Sequence, residues 1–134
     1  MLATGKVVLD TSVAVAHLRG VTAATARLQS YENESLLLPT VALGELLHGA
    51  RKSARGAENL SNLKTWLQTV TLLPLTETTA NCYASIKLGL SRAGTPIPEN
   101  DIWIAAHAVE HDLPLATSDE HFQRIADLVV LDWR

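Results

Sequence analysis

Aromatic side chains are scarce in this 134-residue chain, which has three tryptophans, two tyrosines and one phenylalanine. So small a set does not supply a stacking platform for bases, and Trp66, Trp103 and Trp133 are expected to pack in a core or between protomers. The single cysteine, Cys82, excludes an internal disulfide and a paired thiolate metal site, and suits a reducing compartment. It is read as a small packing residue rather than a nucleophile. No apolar run approaches the ~20 residues that cross a bilayer, and the opening MLATGKVVLD lacks a cationic start followed by a hydrophobic stretch. The expected location is the cytoplasm. Positive charge is also in short supply, with a net charge of −3 and a pI near 5.9. Broad electrostatic attraction to nucleic acid is thereby excluded, so any such binding needs a local basic patch or metal ions.

What is present is aliphatic. With 47% apolar residues and no internal repeat, low-complexity tract or linker, residues 1–134 are expected to form one domain with its own core. Short aliphatic stretches at Val7–Leu9, Leu36–Leu38, Val70–Leu73, Leu115–Thr117 and Leu128–Leu131 read as strands covered on both faces. Between them lie segments of helical period: Val41–Ser53, with Leu43, Leu46, Leu47 and Ala50 on one face, then Asn59–Thr69 and Glu77–Arg92. Gly94 stops the last of these. A further helix runs from about Pro98 to His111 and is expected to bury Ile102, Ala105, Ala106 and Val109. Alternating strands and helices predict an α/β fold around a parallel sheet of about five strands.

In such a fold each crossover helix runs antiparallel to the strands, so helix starts and strand ends share one edge. Four acids fall there. Asp10 closes the first strand in VVLDTSVAV, Glu45 lies early in the helix containing VALGELLHGA, Asp101 occupies the first turn in PENDIWIAA, and Asp119 follows the fourth strand in LATSDEHF. Taken singly, Asp10 and Asp119 suit helix caps, Asp101 a first-turn acid and Glu45 a solvated position beside His48 and Lys52. Jointly they approach the edge where open α/β sheets bind ligands. Four close carboxylates repel one another, and hard oxygen-binding ions such as Mg²⁺ or Mn²⁺ would neutralise them.

With DTS at Asp10, Glu45 in ELLHGA, NDIWIAA around Asp101 and TSD ending at Asp119, the chain resembles the PIN-domain nucleases, and among them the VapC and FitB toxins of toxin–antitoxin pairs. The resemblance spans nearly the whole chain. It implies a three-layer α/β/α sandwich, a homodimer, a cognate VapB-like antitoxin partner and Mg²⁺- or Mn²⁺-dependent hydrolysis of RNA, leaving 5′-phosphate ends. By that comparison Asp10, Glu45, Asp101 and Asp119 match the family's metal-holding catalytic quartet, Thr11, Ser12 and Thr117 match its supporting hydroxyls, and Asn100 fits beside them.

Arg51, Lys52 and Arg55 in ARKSARG are candidates for guiding the RNA backbone, or else cations that complement a helix end. His17, His48, His107, His111 and His121 show no spacing that demands a metal. A nuclease of RNA maturation would use the same quartet as a toxin. An aspartyl-phosphatase would carry a second acid where Ser12 stands, and a receiver domain would need an aspartate where Leu73, Pro74 and Leu75 stand. A non-catalytic binding module leaves the clustering of acids unexplained.

Overall fold

Three consecutive buried residues in a strand mean that both faces of the sheet are covered, because successive side chains point to opposite sides. A computed structural model describes residues 5–134, and in it β1 (Val7–Leu9), β2 (Leu36–Pro39) and β4 (Leu115–Thr117) are buried at every position. The edge strands β3 (Thr71–Leu73) and β5 (Val130–Asp132) are more open. The first four residues of the stretch read for leader signals lie outside the described residues.

The sheet is parallel throughout, in the order β3-β2-β1-β4-β5. From β1 the chain therefore builds outward to β2 and β3, then returns to place β4 and β5 on the other side. The reversal falls between β1 and β4, which is the crevice where ligands of open α/β sheets bind. The predicted strands are all found, with the last displaced toward the carboxyl terminus, from Leu128–Leu131 to Val130–Asp132.

Six α-helices pack on this sheet among the described residues: α1 (Thr11–Leu18), α2 (Thr22–Gln29), α3 (Thr40–Lys52), α4 (Gly56–Leu67), α5 (Glu77–Ala93) and α6 (Glu99–His111). The helix following Asp10 was expected without an end; α2 was not expected. Its eight residues bury only Ala24 and Leu28, too short a pattern to stand out in the sequence. In α3 the buried side is Ala42, Leu46 and Ala50, with Leu43 and Leu47 half-buried beside it. Helix α6 is enclosed on more than one side, burying Ile104, His107 and Ala108 as well as Ile102, Ala105 and Ala106, whereas the predicted core residue Val109 is only partly covered.

Local signals fix the helix ends. Thr76 and Thr79 form a reciprocal capping box at the start of α5. At its other end Gly94 adopts φ 68°, the left-handed conformation that glycine enters without strain. No neighbouring atom would obstruct a Cβ at Gly94, so only backbone strain opposes a side chain there. Gly94→Ala is accordingly expected to lower unfolding free energy by about 1 kcal/mol, read from urea midpoints at unchanged m-value. The tryptophans are structural: Trp66 is buried, Trp103 stacks on Tyr83 with ring centroids 3.9 Å apart, and Trp133 lies against Tyr31.

Candidate active site

Asp10 stands at the end of β1, where its backbone N–H donates to the carbonyl of Ala116 and extends the β1–β4 pairing into the crevice. The residue is only 4% exposed. Although Asp10 occupies the cap position of α1, its side chain makes no cap hydrogen bond; Oδ2 instead accepts from Ser12 Oγ at 2.7 Å and from Thr117 Oγ1 at 2.8 Å. Burial raises its pKa above the ordinary 3.8, and the Ser12 and Thr117 hydroxyls oppose that rise.

The predicted supporting hydroxyls form a connected set. Thr117, itself buried, also accepts from the backbone N–H of Asp119 at 2.9 Å, and Ser12 Oγ accepts from the N–H of Ser118 at 3.1 Å. Thr11 Oγ1 donates to Glu45 Oε1 at 2.7 Å, tying the start of α1 to α3. Each hydroxyl thus orients a carboxylate or the loop that carries one. Asn100 is exposed in the first turn of α6 and makes no hydrogen bond to the acids among the described residues.

Asp101 registers the whole arrangement. Its pKa is pushed up to about 6, first by burial, then by the charge of Asp10, with Asp119 and Glu45 adding to the rise. A hydrogen bond from His121 works in the opposite direction. The four acids, spread over 110 positions of sequence, therefore act electrostatically on one point. The Asp119 side chain caps the short helical turn Glu120–Arg124 by accepting from the N–H of His121 at 2.9 Å, so the expected cap and the place in the cluster coexist.

His121 is the residue that the sequence reading missed. Its Nδ1 lies 3.2 Å from Asp119 Oδ1 and 3.4 Å from Asp101 Oδ2. Donor atoms of Asp101, Asp119 and His121 come within 4.8 Å of one another. Only the distance of two residues from Asp119 could have suggested this, once Asp119 itself was placed. The ring is held there because the next residue, Phe122, is fully buried and anchors the turn in the core.

Of the predicted basic residues, Lys52 lines a cleft of about 350 Å³ that opens beside Glu45 between α1, α3 and α4. Arg51 and Arg55 do not line it, and Arg55 pairs on the surface with Glu58. Arg19, at the end of α1, does line the cleft and was not expected to.

The acid set fits a hard divalent cation. Its donors are mainly carboxylate oxygens, and such a cation relieves both the burial and the mutual repulsion that lift Asp101 to about 6.

A five-stranded parallel sheet with carboxylates gathered at its switch point defines an open α/β domain with an acidic ligand crevice. The PIN domain family model matches residues 7–128, and the chain belongs to the PIN-domain family. Ribonuclease VapC1 of Haemophilus influenzae (strain R2866) is 31% identical over 106 residues, covering 78% of this chain and 79% of the relative. The tRNA(fMet)-specific endonuclease VapC of Shigella flexneri is 26% identical over 129 residues, covering 96% and 98%. Among solved structures, DNA-bound VapBC from Salmonella typhimurium superposes with a TM-score of 0.90 at 26% identity over 100% of both chains. FitAcB from Neisseria gonorrhoeae gives 0.84 at 29% identity, covering 95% and 97%.

Proposed function

We propose that the chain is an endoribonuclease, the toxin of a VapBC-type pair, held inactive by a VapB-like antitoxin and dependent on Mg²⁺ or Mn²⁺. The observation that carries this reading is the convergence of Asp10, Glu45, Asp119 and His121 on Asp101 at the β1/β4 crevice. The toxin assignment is supported by the VapC relatives and by the VapBC and FitAcB structural neighbours.

Asp10, Glu45, Asp101 and Asp119, with His121 alongside, would hold the cation, which when bound supplies activation of water and neutralisation of charge on the phosphate. The chain's own residues set the geometry. Ser12 and Thr117 fix the Asp10 carboxylate, Thr11 fixes Glu45, and the buried Phe122 seats the turn carrying Asp119 and His121. His121 Nδ1 stands between the Asp101 and Asp119 carboxylates, where it would join them as a nitrogen ligand. Hydrolysis joins the water oxygen to phosphorus, breaks the bond to the ribose 3′ oxygen and leaves a 5′-phosphate. A carboxylate cage repels free RNA, so cations at its margin must bring the backbone in.

Arg19 and Lys52, which line the cleft beside Glu45, are the side chains this reading assigns to that role. Arg19→Ala with Lys52→Ala is expected to weaken RNA binding mainly at low salt and to reduce the log K against log salt slope by up to about 1.4, while Arg51→Ala with Arg55→Ala has the smaller effect. Equal slopes in all three proteins would remove the cleft from the RNA path. The same reading takes residues 1–134 as one domain acting in the cytoplasm as a homodimer. Among the described residues no helix is long and apolar enough to cross a membrane.

The direct test is to incubate cation-stripped protein with RNA, including initiator tRNA, and map the ends formed on adding Mg²⁺ or Mn²⁺. Cleavage in the ion-containing arms with 5′-phosphate ends is expected, as is its suppression by a VapB-like antitoxin. Intact RNA with folded wild-type protein in both ions would defeat the reading.

A further inference from the structure

His107 is fully buried in α6, yet neither of its ring nitrogens has a hydrogen-bond partner among the described residues. An imidazole offers one donor and one acceptor when neutral, and leaving such a group unpaired in a protein interior costs on the order of 1–3 kcal/mol. A buried polar side chain in that condition points to a ligand.

Its neighbours supply the rest of a coordination shell. His107, Glu110 and His111 follow one another at i, i+3 and i+4, the spacing that puts three side chains on one helix face. One donor atom from each lies within 4.8 Å of the others. Glu110 Oε2 is 3.9 Å from His107 Nδ1 and 3.7 Å from His111 Nε2. Ligands ~2.0–2.1 Å from a tetrahedral Zn²⁺ stand about 3.4 Å from each other, so small side-chain rotations close the set.

The carboxylate is also oriented from outside. Thr79 Oγ1 donates to Glu110 Oε2 at 2.7 Å and Thr76 Oγ1 donates to Glu110 Oε1 at 3.0 Å. These threonines form the capping box of α5, so Glu110 is braced by a second helix, as metal-binding carboxylates commonly are. The cluster lies in the last turns of α6, where exposed carbonyls favour a cation. It stands six to ten residues beyond Asp101, about 9–15 Å along the helix, and is separate from the acid crevice.

We propose that His107, Glu110 and His111 form a Zn²⁺-class transition-metal site at the carboxyl end of α6, its carboxylate braced by the start of α5. Two imidazoles and one carboxylate select Zn²⁺, Co²⁺ or Ni²⁺ over Mg²⁺. His111 is 41% exposed, so the ion enters from the solvent side and its fourth position faces water.

The test uses the full chain, stripped of metal and held in millimolar Mg²⁺ to fill oxygen-rich sites, then titrated with Co²⁺ while visible absorption is recorded. One equivalent producing the intense bands of four-coordinate Co²⁺, displaced by Zn²⁺, is expected. His111→Ala and Glu110→Gln should each lower Co²⁺ affinity at least tenfold with circular dichroism unchanged. Asp101→Asn should keep the absorption. These two variants are chosen because His107→Ala opens a buried hole and can unfold the chain. Absence of the bands in folded wild-type protein, wild-type affinity in either variant, or loss of the bands in Asp101→Asn would each overturn the site. None of these readouts depends on RNA cleavage, so the outcome is independent of the nuclease reading.

Discussion

Asp101→Asn is expected to slow metal-dependent RNA cleavage severely and, at the same time, to make the metal-free protein more stable. The two effects share one cause. Asp101 sits where burial and the charges of Asp10, Asp119 and Glu45 all disfavour a carboxylate, and its side chain is only 15% exposed. A pKa raised from the ordinary 3.8 to about 6 corresponds to up to about 3 kcal/mol of unfavourable free energy for the ionised folded state. Asparagine keeps the shape and removes the charge. Without metal, stability at pH 7.5 should therefore rise, by roughly 1–3 kcal/mol once solvent screening is allowed for. The missing anionic donor should cost roughly 10²–10³-fold in kcat, the scale of one preorganised electrostatic group. Urea unfolding of stripped protein and single-turnover cleavage check the pair. A variant that cleaves at the wild-type rate, or that is less stable than metal-free wild type, contradicts the place given to Asp101.

A second large effect concerns pH and the cation together. Because the folded pKa of Asp101 is raised, the native state binds its proton more tightly than the unfolded chain does. The associated stability is fully present below pH 3.8 and is lost as pH rises to about 6. Asp10, raised by burial, acts with the same sign. Burial lowers the pKa of His17 and His107, which changes stability in the opposite sense near pH 6.5, so the difference between wild type and Asp101→Asn isolates the site. In metal-free protein this difference should open between pH 4 and 6 in favour of the variant. A bound divalent cation offsets it. At pH 7.5, Mn²⁺ at 100 times its dissociation constant should stabilise wild type by about 2.7 kcal/mol, and at pH 4.5 protonated carboxylates should remove most of that gain. Thermal scans over pH with and without Mn²⁺ provide the measurement. Stabilisation by Mn²⁺ of equal size at both pH values would show that the ion does not bind through these acids.

The sequence carried the order of elements because each strand is a short aliphatic run and most helices announce their ends. The start at Glu77 and the stop at Gly94 were readable for α5, and the structure finds a capping box and a left-handed glycine there. Helix α2 escaped notice because it has only two buried residues to mark its face. The last strand shifted because its place is fixed by pairing with β4, Leu115 to Val130 and Thr117 to Asp132, rather than by its own most apolar residues.

For the site, alternation of strands and helices was enough to send Asp10, Glu45, Asp101 and Asp119 toward one edge, since parallel crossovers leave no other place for strand ends and helix starts. It was not enough to find His121, whose position depends on Phe122 filling the core beneath the turn. Nor could it separate Lys52 and Arg19 from Arg51 and Arg55, because which cation faces the cleft follows from how α1, α3 and α4 pack. Period and composition act along the chain and were legible there. Burial, the rise of Asp101 to about 6 and the two unpartnered nitrogens of His107 are properties of neighbours brought together from distant sequence, and only the tertiary structure decided them.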